Sequence, residues 1–509
     1  MDSVLTTVFF ILYLALLLLY ALTRTGRRMS VSDFLSGPRD PAPYILPVSS
    51  LGTDVGFWLT AILPAVALSS ANGSVYAMLL AVSLLGALVV LWFVFAKRLY
   101  IYGEILGKPE TVTDFLTLRL KPATRIPRVY FGAVCTVFSF LCGAAALIFV
   151  ARILSVLLSW DYTVCIAVAG FSLLLYLLAA GALSVYNIGF LQGLLFLLSA
   201  VLFVTFLLID RTPDPGFSEQ LSHSFQLLPP SSGTEGTQPA FFEILRYLTL
   251  GFCLTGTPSV LMKFLRVKER RSLKKHAVTT LFLFAVGAVG MLLICADLSA
   301  VSGQIDGGFA SLAQLTGLLK IPFLRAFFCT ALTLGLLGGV AVHLGTAFSE
   351  LVRNIEPIFL KNPQRLTVRS LRVQAAVFLF CAGIVAALSQ KDPADLFLFA
   401  ASCLTVVILP AVTFLLYRKD ISALAVVTSS ASGLLVTVLY RALVTDLFPL
   451  PELLPGLFVS FGCLALFGLS RKKANETVTN EYERMDLLAR STGDLYYHNP
   501  ELNEDNINW

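Results

Sequence analysis

The sequence predicts an all-α polytopic membrane protein, and three observations support that fold class. Of the 509 residues, 57% are hydrophobic and only 13% are charged, about half the charged fraction of a soluble globular chain. Apolar stretches of about 20 residues, long enough to cross a bilayer as a helix, recur along nearly the whole chain. Lys and Arg concentrate in alternate loops between these stretches. The pattern excludes a soluble enzyme, a nucleic-acid-binding module and a disordered chain.

Thirteen of the apolar stretches are predicted to be transmembrane helices, which we number as spans 1 to 13. The first is typical of a retained span rather than a cleaved signal, because no basic segment precedes it. The predicted spans cover 3–23, 43–69, 75–96, 129–158, 163–182, 188–209, 240–262, 277–300, 322–352, 373–389, 393–416, 421–443 and 453–470.

The basic residues give the orientation of these spans. They follow spans 1, 3, 7, 9, 11 and 13, and the segment after span 7 begins with Lys263 and Arg266. The opposite loops hold little beyond Arg211, Lys320 and Lys391. Because basic loops stay in the cytoplasm, we expect the N-terminus outside and the C-terminus inside, with an odd number of spans.

Two spans are interrupted in mid-membrane. Span 2 contains Ser-Ser-Leu-Gly-Thr-Asp-Val-Gly at 49–56, and span 7 contains Gly251 followed by Thr-Gly-Thr-Pro at 255–258. Proline removes a helical hydrogen bond and glycine loosens the backbone. Spans 2–6 and 7–11 form two sets of five, each beginning with a broken helix, so the second set runs in the opposite direction. Breaks at corresponding positions of two inverted repeats indicate a secondary-transporter site at the midplane.

This pattern divides the chain into six segments. The loop is rich in Pro, Ser and Gly, and the polar, acidic tail is interpreted as disordered rather than as a docking segment. The segments are 1–30 with the first helix and a basic loop, 31–210 with the first repeat, 211–239 as an external loop, 240–420 with the second repeat, 421–473 with peripheral helices 12 and 13, and 474–509 as a cytoplasmic tail.

Asp54 is the most informative single residue. A carboxylate in mid-membrane costs at least about 2.5–3.5 kcal/mol, so it normally faces a cavity or a partner. It either orients a cation beside the unwound carbonyls near Gly52 and Val55, or caps amides of the broken helix. His343 in span 9 is either a proton relay or solute ligand, or a satisfied core histidine. Glu350, near the inner end of that span, is expected at the membrane interface.

Five stretches of the sequence occur in an order and spacing that are informative together. They are Asp-Phe-Leu-Ser-Gly-Pro-Arg at 33–39, Asp54-x-x-x-Trp58-Leu59 with Leu63-Pro64, Thr-Val-Thr-Asp-Phe-Leu-x-x-Arg at 111–119, Gly-Ala-Leu-Ser-Val at 181–185 with Gln192, and Gly256-Thr257-Pro258 followed by Lys263-Phe264. Together they resemble the sodium/solute symporter family, most closely its sodium/proline symporter branch. The resemblance implies a five-plus-five inverted-repeat core within thirteen spans in the plasma membrane. It also implies symport of a small organic solute, such as proline or another amino acid, with Na+ as the coupling ion.

The resemblance also implies two sets of site residues. The sodium position falls on Gly52, Asp54, Val55, Leu332, Gly335 and Leu336. The solute position falls on Trp58, Leu250, Leu254, Gly256 and Pro258. The family's adjacent Ser-Thr ligand pair lands on Gly335 and Leu336, which carry no hydroxyl. A hard cation such as sodium prefers oxygen ligands, so we expect sodium binding to be weak or absent.

Other functions remain as alternatives or are excluded. The chain has no HExxH, GxSxG or Walker motif, which excludes the enzymes and ATP-driven pumps that use them. No cofactor is expected beyond Na+, and the expected partners are a small-molecule solute and membrane lipid rather than nucleic acid. The alternatives are proton coupling through Asp54 or His343, and a non-transporting relative that acts as a sensor or structural subunit.

The predicted orientation is testable by cysteine labelling. In a background without reactive native cysteines, a membrane-impermeant thiol reagent added outside intact cells should label Phe225→Cys but not Arg270→Cys. Permeabilised cells should show labelling at both positions. Labelling of Arg270→Cys from outside would contradict the thirteen-span topology with an external N-terminus.

Overall fold

A computed structural model defines the fold of most of the chain. It describes residues 2–25, 29–37, 44–69, 73–121, 124–211, 237–267, 270, 272–302, 321–359, 366–389, 391–444, 450–468 and 476–490. Within these ranges all regular elements are helical, so the all-α fold class is confirmed. Most of the loop predicted at 211–239 lies outside the described residues.

We number the helices of the described residues in chain order. They are α1 Asp2–Thr25, α2 Val31–Ser36, α3 Ile45–Leu51, α4 54–67, α5 Gly73–Ile105, α6 Val112–Leu120, α7 Ile126–Leu158, α8 Tyr162–Ala180, α9 Ala182–Arg211, α10 Thr237–Leu250, α11 Pro258–Phe264, α12 Ser272–Ser302, α13 Pro322–Phe359, α14 Val368–Leu388, α15 Pro393–Tyr417, α16 Ala423–Leu443, α17 Leu453–Gly468 and α18 Glu476–Arg490.

The lengths of these helices agree with a multi-pass membrane protein. In the described part of the chain, ten helical segments are long and apolar enough to cross a bilayer, and the bent pair α10–α11 adds an eleventh. The apolar helices Tyr162–Leu175 and Leu453–Phe467 are shorter. All thirteen predicted spans coincide with helices, but the count of thirteen crossings and the orientation stay predictions.

Both predicted helix breaks are present. In span 2, α3 ends at Leu51 and α4 begins at Asp54, with Thr53 between them in a non-helical conformation. In span 7, a 3-10 segment Gly251–Gly256 follows α10, and α11 starts at Pro258 with a bend of 56°. Proline suits the first helical turn because the amide it lacks has no intrahelical acceptor there.

Glycines allow both breaks to pack closely against a neighbouring helix. Gly52 lies against α9, where a Cβ atom would overlap the Gly189 carbonyl, and Gly193 lies equally close to α3. At the other break, a Cβ atom on Gly256 would overlap the backbone of Thr405 on α15. Spans 6 and 11 occupy equivalent positions in the two sets of five, so both sets pack their broken helix alike. The long helices α7 and α13, each third in its set, pack against one another.

The tail differs from its sequence interpretation. Residues 476–490 form α18, an amphipathic helix that docks on the end of α5. Its acidic side chains pair with basic residues of the loops, and Val478 and Met485 are buried. The disordered-tail interpretation is therefore wrong for this segment, because the basic loops supply counter-charges that composition alone does not reveal. The pairs are Arg98–Asp486 at 2.7 Å, Lys121–Glu481 at 2.5 Å and Lys419–Glu483 at 3.2 Å.

Docking of α18 is testable by limited proteolysis. Met485→Ala removes a buried side chain at a cost of about 2–5 kcal/mol, so trypsin cleavage after Arg484 in the purified protein should accelerate by about tenfold or more. Leu487→Ala is the matched control, since Leu487 is 58% exposed on the same helix. Equal cleavage rates in both variants would show that α18 is not held by this contact.

Candidate functional site

A buried ion pair lies where the two broken spans meet. Nζ of Lys263 on α11 is 2.5 Å from Oδ1 of Asp54, the first residue of α4. The same ammonium donates to Ser50 Oγ at 2.9 Å and to Thr53 Oγ1 at 3.3 Å. An ammonium group has three hydrogen-bond donors, so these three oxygen atoms satisfy it completely.

Asp54 has additional partners on both broken spans. Its Oδ2 accepts a hydrogen bond from Ser259 Oγ at 3.2 Å, and its Oδ1 accepts one from the Val55 amide at 3.1 Å. The carboxylate is fully buried. It therefore makes both kinds of contact that the sequence left open, one to a cation and one to an amide of the broken helix.

The position of Lys263 corrects the sequence interpretation, which placed it in the basic loop after span 7. Lys263 and Arg266 are only 7% and 4% exposed. Side chains of an α-helix point back toward its N-terminus, so Lys263 in the last turn of α11 is directed into the break. The helix dipoles stabilise the pair as well. Asp54 lies in the first turn of α4, where the dipole favours a negative charge, and Lys263 lies in the last turn of α11, where it favours a positive one.

The ninth span, α13, presents glycines to the break of span 2. A Cβ atom on Gly338 would overlap the Gly52 carbonyl oxygen, and one on Gly339 would press into the Phe57 ring. A Cβ atom on Gly335 would instead lie 3.4 Å from Thr60 Cγ2. The structure therefore brings Gly338, one turn beyond Gly335, opposite the Gly52 carbonyl.

The other predicted sodium residues of α13 lie in the apolar core. Leu332 and Leu336 are 2% and 0% exposed. The nearest hydroxyls, Thr330 and Thr333, donate to carbonyls one turn earlier in their own helix, each at 2.8 Å. Both hydroxyls are therefore occupied by the backbone of α13, and weak or absent sodium binding stays a prediction.

The residues predicted for the solute are split between two places. Gly256 and Pro258 lie at the break of span 7, where Thr405 Oγ1 of α15 donates to the Cys253 carbonyl at 2.8 Å. Leu250 and Leu254 are buried in the hydrophobic core. Trp58 packs edge-on against Phe397, with ring centroids 5.5 Å apart. These residues do not meet in one open pocket.

An aromatic cluster encloses His343. The centroid of its imidazole lies 5.3 Å from that of Phe397 and 6.3 Å from that of Phe57, and Phe149 contacts Phe57 from α7. Its Nε2 is buried and accepts or donates no hydrogen bond within the described part of the chain. Phe149 and Phe397 were not predicted from the sequence, since single aromatic residues in apolar spans give no distinguishing signal.

A cavity of about 70 Å³ lies beside the ion pair. Apolar residues form most of its lining, and its charged lining residues are Lys263, Arg266, Glu110 and Glu350. Its volume is far below the roughly 300–1,000 Å³ of typical small-molecule sites. It has room for water and small ions rather than for a complete solute in this conformation. None of the five predicted solute residues lines it.

Glu350 lines this cavity within a buried network. Only 1% of the residue is exposed, in contrast to the interfacial position expected from the sequence. It accepts from Asn354 Nδ2 at 2.8 Å and from the Thr113 amide at 3.4 Å. The neighbouring Glu110 forms an ion pair with Arg353. These contacts tie the start of α6 to the end of α13.

A model of the sodium:solute symporter family matches residues 34–431, and the chain belongs to that family. The family and the fold are those of secondary transporters rather than of enzymes. The chain is 22% identical over 514 residues to a sodium/proline symporter of Staphylococcus aureus, covering 95% of this chain and 96% of that protein. The homologue of strain Newman is 22% identical over 486 residues, covering 91% of each. The predicted family, its transport function and its multi-pass membrane location are confirmed.

Solved structures share this fold. A substrate-bound, outward-open Na+-coupled sialic acid symporter superposes with a TM-score of 0.72 at 15% identity, covering 93% of this chain and 99% of that one. Mhp1, a nucleobase-cation-symport-1 family transporter, gives a TM-score of 0.55 at 12% identity, covering 89% and 99%. At these identities the likeness shows the fold alone.

The ion pair makes a prediction about stability. Asp54→Asn leaves the Lys263 ammonium buried without a counter-charge, a change that costs about 3–5 kcal/mol, so the melting temperature of the purified protein should fall markedly. Glu483→Gln is the control, because it removes one partner of an exposed pair with Lys419 that is worth at most about 1 kcal/mol. Equal melting temperatures for the two variants would contradict a buried charge pair.

Proposed function

We propose that this chain is a secondary active symporter of a small organic solute, with proline or another amino acid as the first candidate. Membership of the sodium:solute symporter family supports symport, and the likeness to proteins named sodium/proline symporter supports an amino acid. The observation that carries the proposal is that both broken spans meet at the buried charges of Asp54 and Lys263. Such a junction is typical of a transporter site at the midplane.

Charged side chains of both signs line the cavity, which suits a zwitterionic solute. They are Lys263, Arg266, Glu110 and Glu350. An amino acid carries a carboxylate and an ammonium, so it needs groups of both signs along its path. Widening of the cavity is required for this passage, as in the alternating-access cycle of secondary transporters.

The proposal also covers the membrane location, the orientation and the residues along the solute path. The protein lies in the plasma membrane with its N-terminus outside, which directs the cavity from the ion pair toward the cytoplasm. Trp58, Leu250, Leu254, Gly256 and Pro258 surround the solute path by resemblance. Gly52, Asp54 and Val55 mark the position that the family resemblance assigns to sodium.

A second candidate is a relative that binds solute without transporting it. The observation that favours it is the direct packing of Gly338 against the Gly52 carbonyl, which leaves little room at the break. Solute binding without accumulation in vesicles is the result expected of a sensor or structural subunit.

Proteoliposome uptake tests the proposal. Vesicles containing the purified protein should accumulate radiolabelled proline or another amino acid above protein-free vesicles when a sodium or a proton gradient is imposed. Each gradient is applied separately. Binding of an amino acid in a thermal-shift assay without uptake under either gradient would favour the second candidate.

A glycine variant links uptake to the break of span 7. Gly256→Ala places a Cβ atom against the backbone of Thr405, so uptake should fall by about tenfold or more, given that misplacing such a site by an ångström is costly. Gly383→Ala is the matched control, because its Cβ atom meets nothing nearer than Ile166 Cγ2 at 3.9 Å. Equal uptake by both variants would show that the break of span 7 does not take part in transport.

A further inference from the structure

We propose that the Lys263 ammonium is the resident cation of this site and replaces a coupling sodium ion, so that the chain binds and carries its solute without sodium. The part of this inference that concerns transport rests on the proposed function. Its first test does not, because that test measures the response of the protein to ions in the absence of solute. It begins from the ion pair between Lys263 and Asp54 at 2.5 Å.

The first step concerns charge. Asp54 is the carboxylate that the family resemblance assigns to the sodium position, and here a lysine of the same chain neutralises it. His343 of α13 packs against Phe57, three residues after Asp54, and Arg266 lines the same cavity as Lys263 while donating to the Gly37 carbonyl. A sodium ion beside the pair would add a second positive charge next to a buried ammonium. Like charges in a poorly solvated site repel strongly, so the site disfavours that ion.

The second step concerns ligands. The three hydroxyl groups that contact the pair are already bound, since Ser50 and Thr53 accept from Lys263 and Ser259 donates to Asp54. The helix opposite supplies Gly338 and Gly339, which have no side-chain oxygen. A hard cation requires several oxygen ligands. Beside Gly338 the oxygens are the Gly52 carbonyl and Gln192 Oε1, so α13 adds no ligand to them.

The third step concerns space. At Gly338 even one added carbon would overlap the Gly52 carbonyl oxygen, so α13 packs directly on the broken helix. A serine or threonine side chain cannot be accommodated there unless the helix moves. This close approach is compatible with a site whose cation is a side chain of α11 rather than an ion from solution.

The fourth step concerns the ammonium itself. It contacts three oxygen atoms from three residues on the span-2 side of the junction, namely Asp54, Ser50 and Thr53. This coordination links the two broken spans, and it does not depend on the ion concentration outside the protein. The lysine therefore supplies the positive charge that the carboxylate requires at all times.

The experiment compares the thermal stability of purified protein in sodium, methylammonium and N-methylglucamine salts at equal ionic strength. Wild type should melt at the same temperature in all three. Lys263→Ala leaves Asp54 unpaired beside an enlarged cavity, so it should melt lower in N-methylglucamine and recover with sodium or methylammonium, because a ligand that binds only the folded state stabilises it. Lys274→Ala, which removes an exposed lysine of α12, is the matched control and should behave as wild type.

Three melting results would overturn the proposal. The first is a higher melting temperature of wild type in sodium than in N-methylglucamine, since it shows a sodium site beside Lys263. The second is a Lys263→Ala variant that responds to no small cation, since it shows that the lysine replaces none. If that variant does not fold, Asp54→Asn with Lys263→Ala removes both charges and should fold without any response to cations. The third is a sodium response in that double variant.

Uptake separates this inference from the proposed function. Proline uptake that is equal in sodium and N-methylglucamine media supports both. Sodium-stimulated uptake by wild type would support the transport function and overturn the resident-cation proposal. Absence of uptake would count against the transport function, and the melting experiments would still decide whether Lys263 is the resident cation.

Discussion

The ion pair between Asp54 and Lys263 connects two helices that would otherwise end in the middle of the protein. Each break exposes amides and carbonyls that a membrane interior cannot hydrate. Asp54 accepts from the Val55 amide of the first break, and Lys263 neutralises Asp54 across the junction. Removing either partner leaves the other buried and unpaired, so the geometry of the junction depends on both. The surrounding hydroxyls and the cavity are arranged around this contact.

Glycines determine how closely the other helices approach that junction. Gly52 and Gly193 bring span 6 onto the break of span 2, and Gly256 brings span 11 onto the break of span 7. A third approach, that of Gly338 in α13, has no counterpart in the sequence-based expectation. Backbone thus packs closely around the junction, while the hydroxyls of Ser50, Thr53 and Ser259 contact the pair directly. Exclusion of water from this contact strengthens the electrostatic interaction within it.

The sequence predicted the helices and both breaks because these depend on short-range properties. Apolar length follows from bilayer thickness, and Gly and Pro disrupt a helix wherever they occur. The pairing of Lys263 was not predicted, because a lysine two residues from a basic loop has the same local pattern as a loop cation. The sequence also did not predict which glycine of α13 faces the break of span 2. Gly335 and Gly338 are the same residue type on one helix and differ only in the neighbour that each contacts. The docking of α18 depended on charges far away in the chain.

The helix α18 has a consequence for how the protein is made. Arg98, Lys121 and Lys419, which form ion pairs with α18, lie in segments whose positive charge favours retention on the cytoplasmic side. Because synthesis begins at the N-terminus, their acidic partners leave the ribosome after the spans have been inserted. In the predicted orientation the same cations direct insertion while they are unpaired and bind α18 once translation is complete. Completion of the chain then supplies each of them with a carboxylate partner.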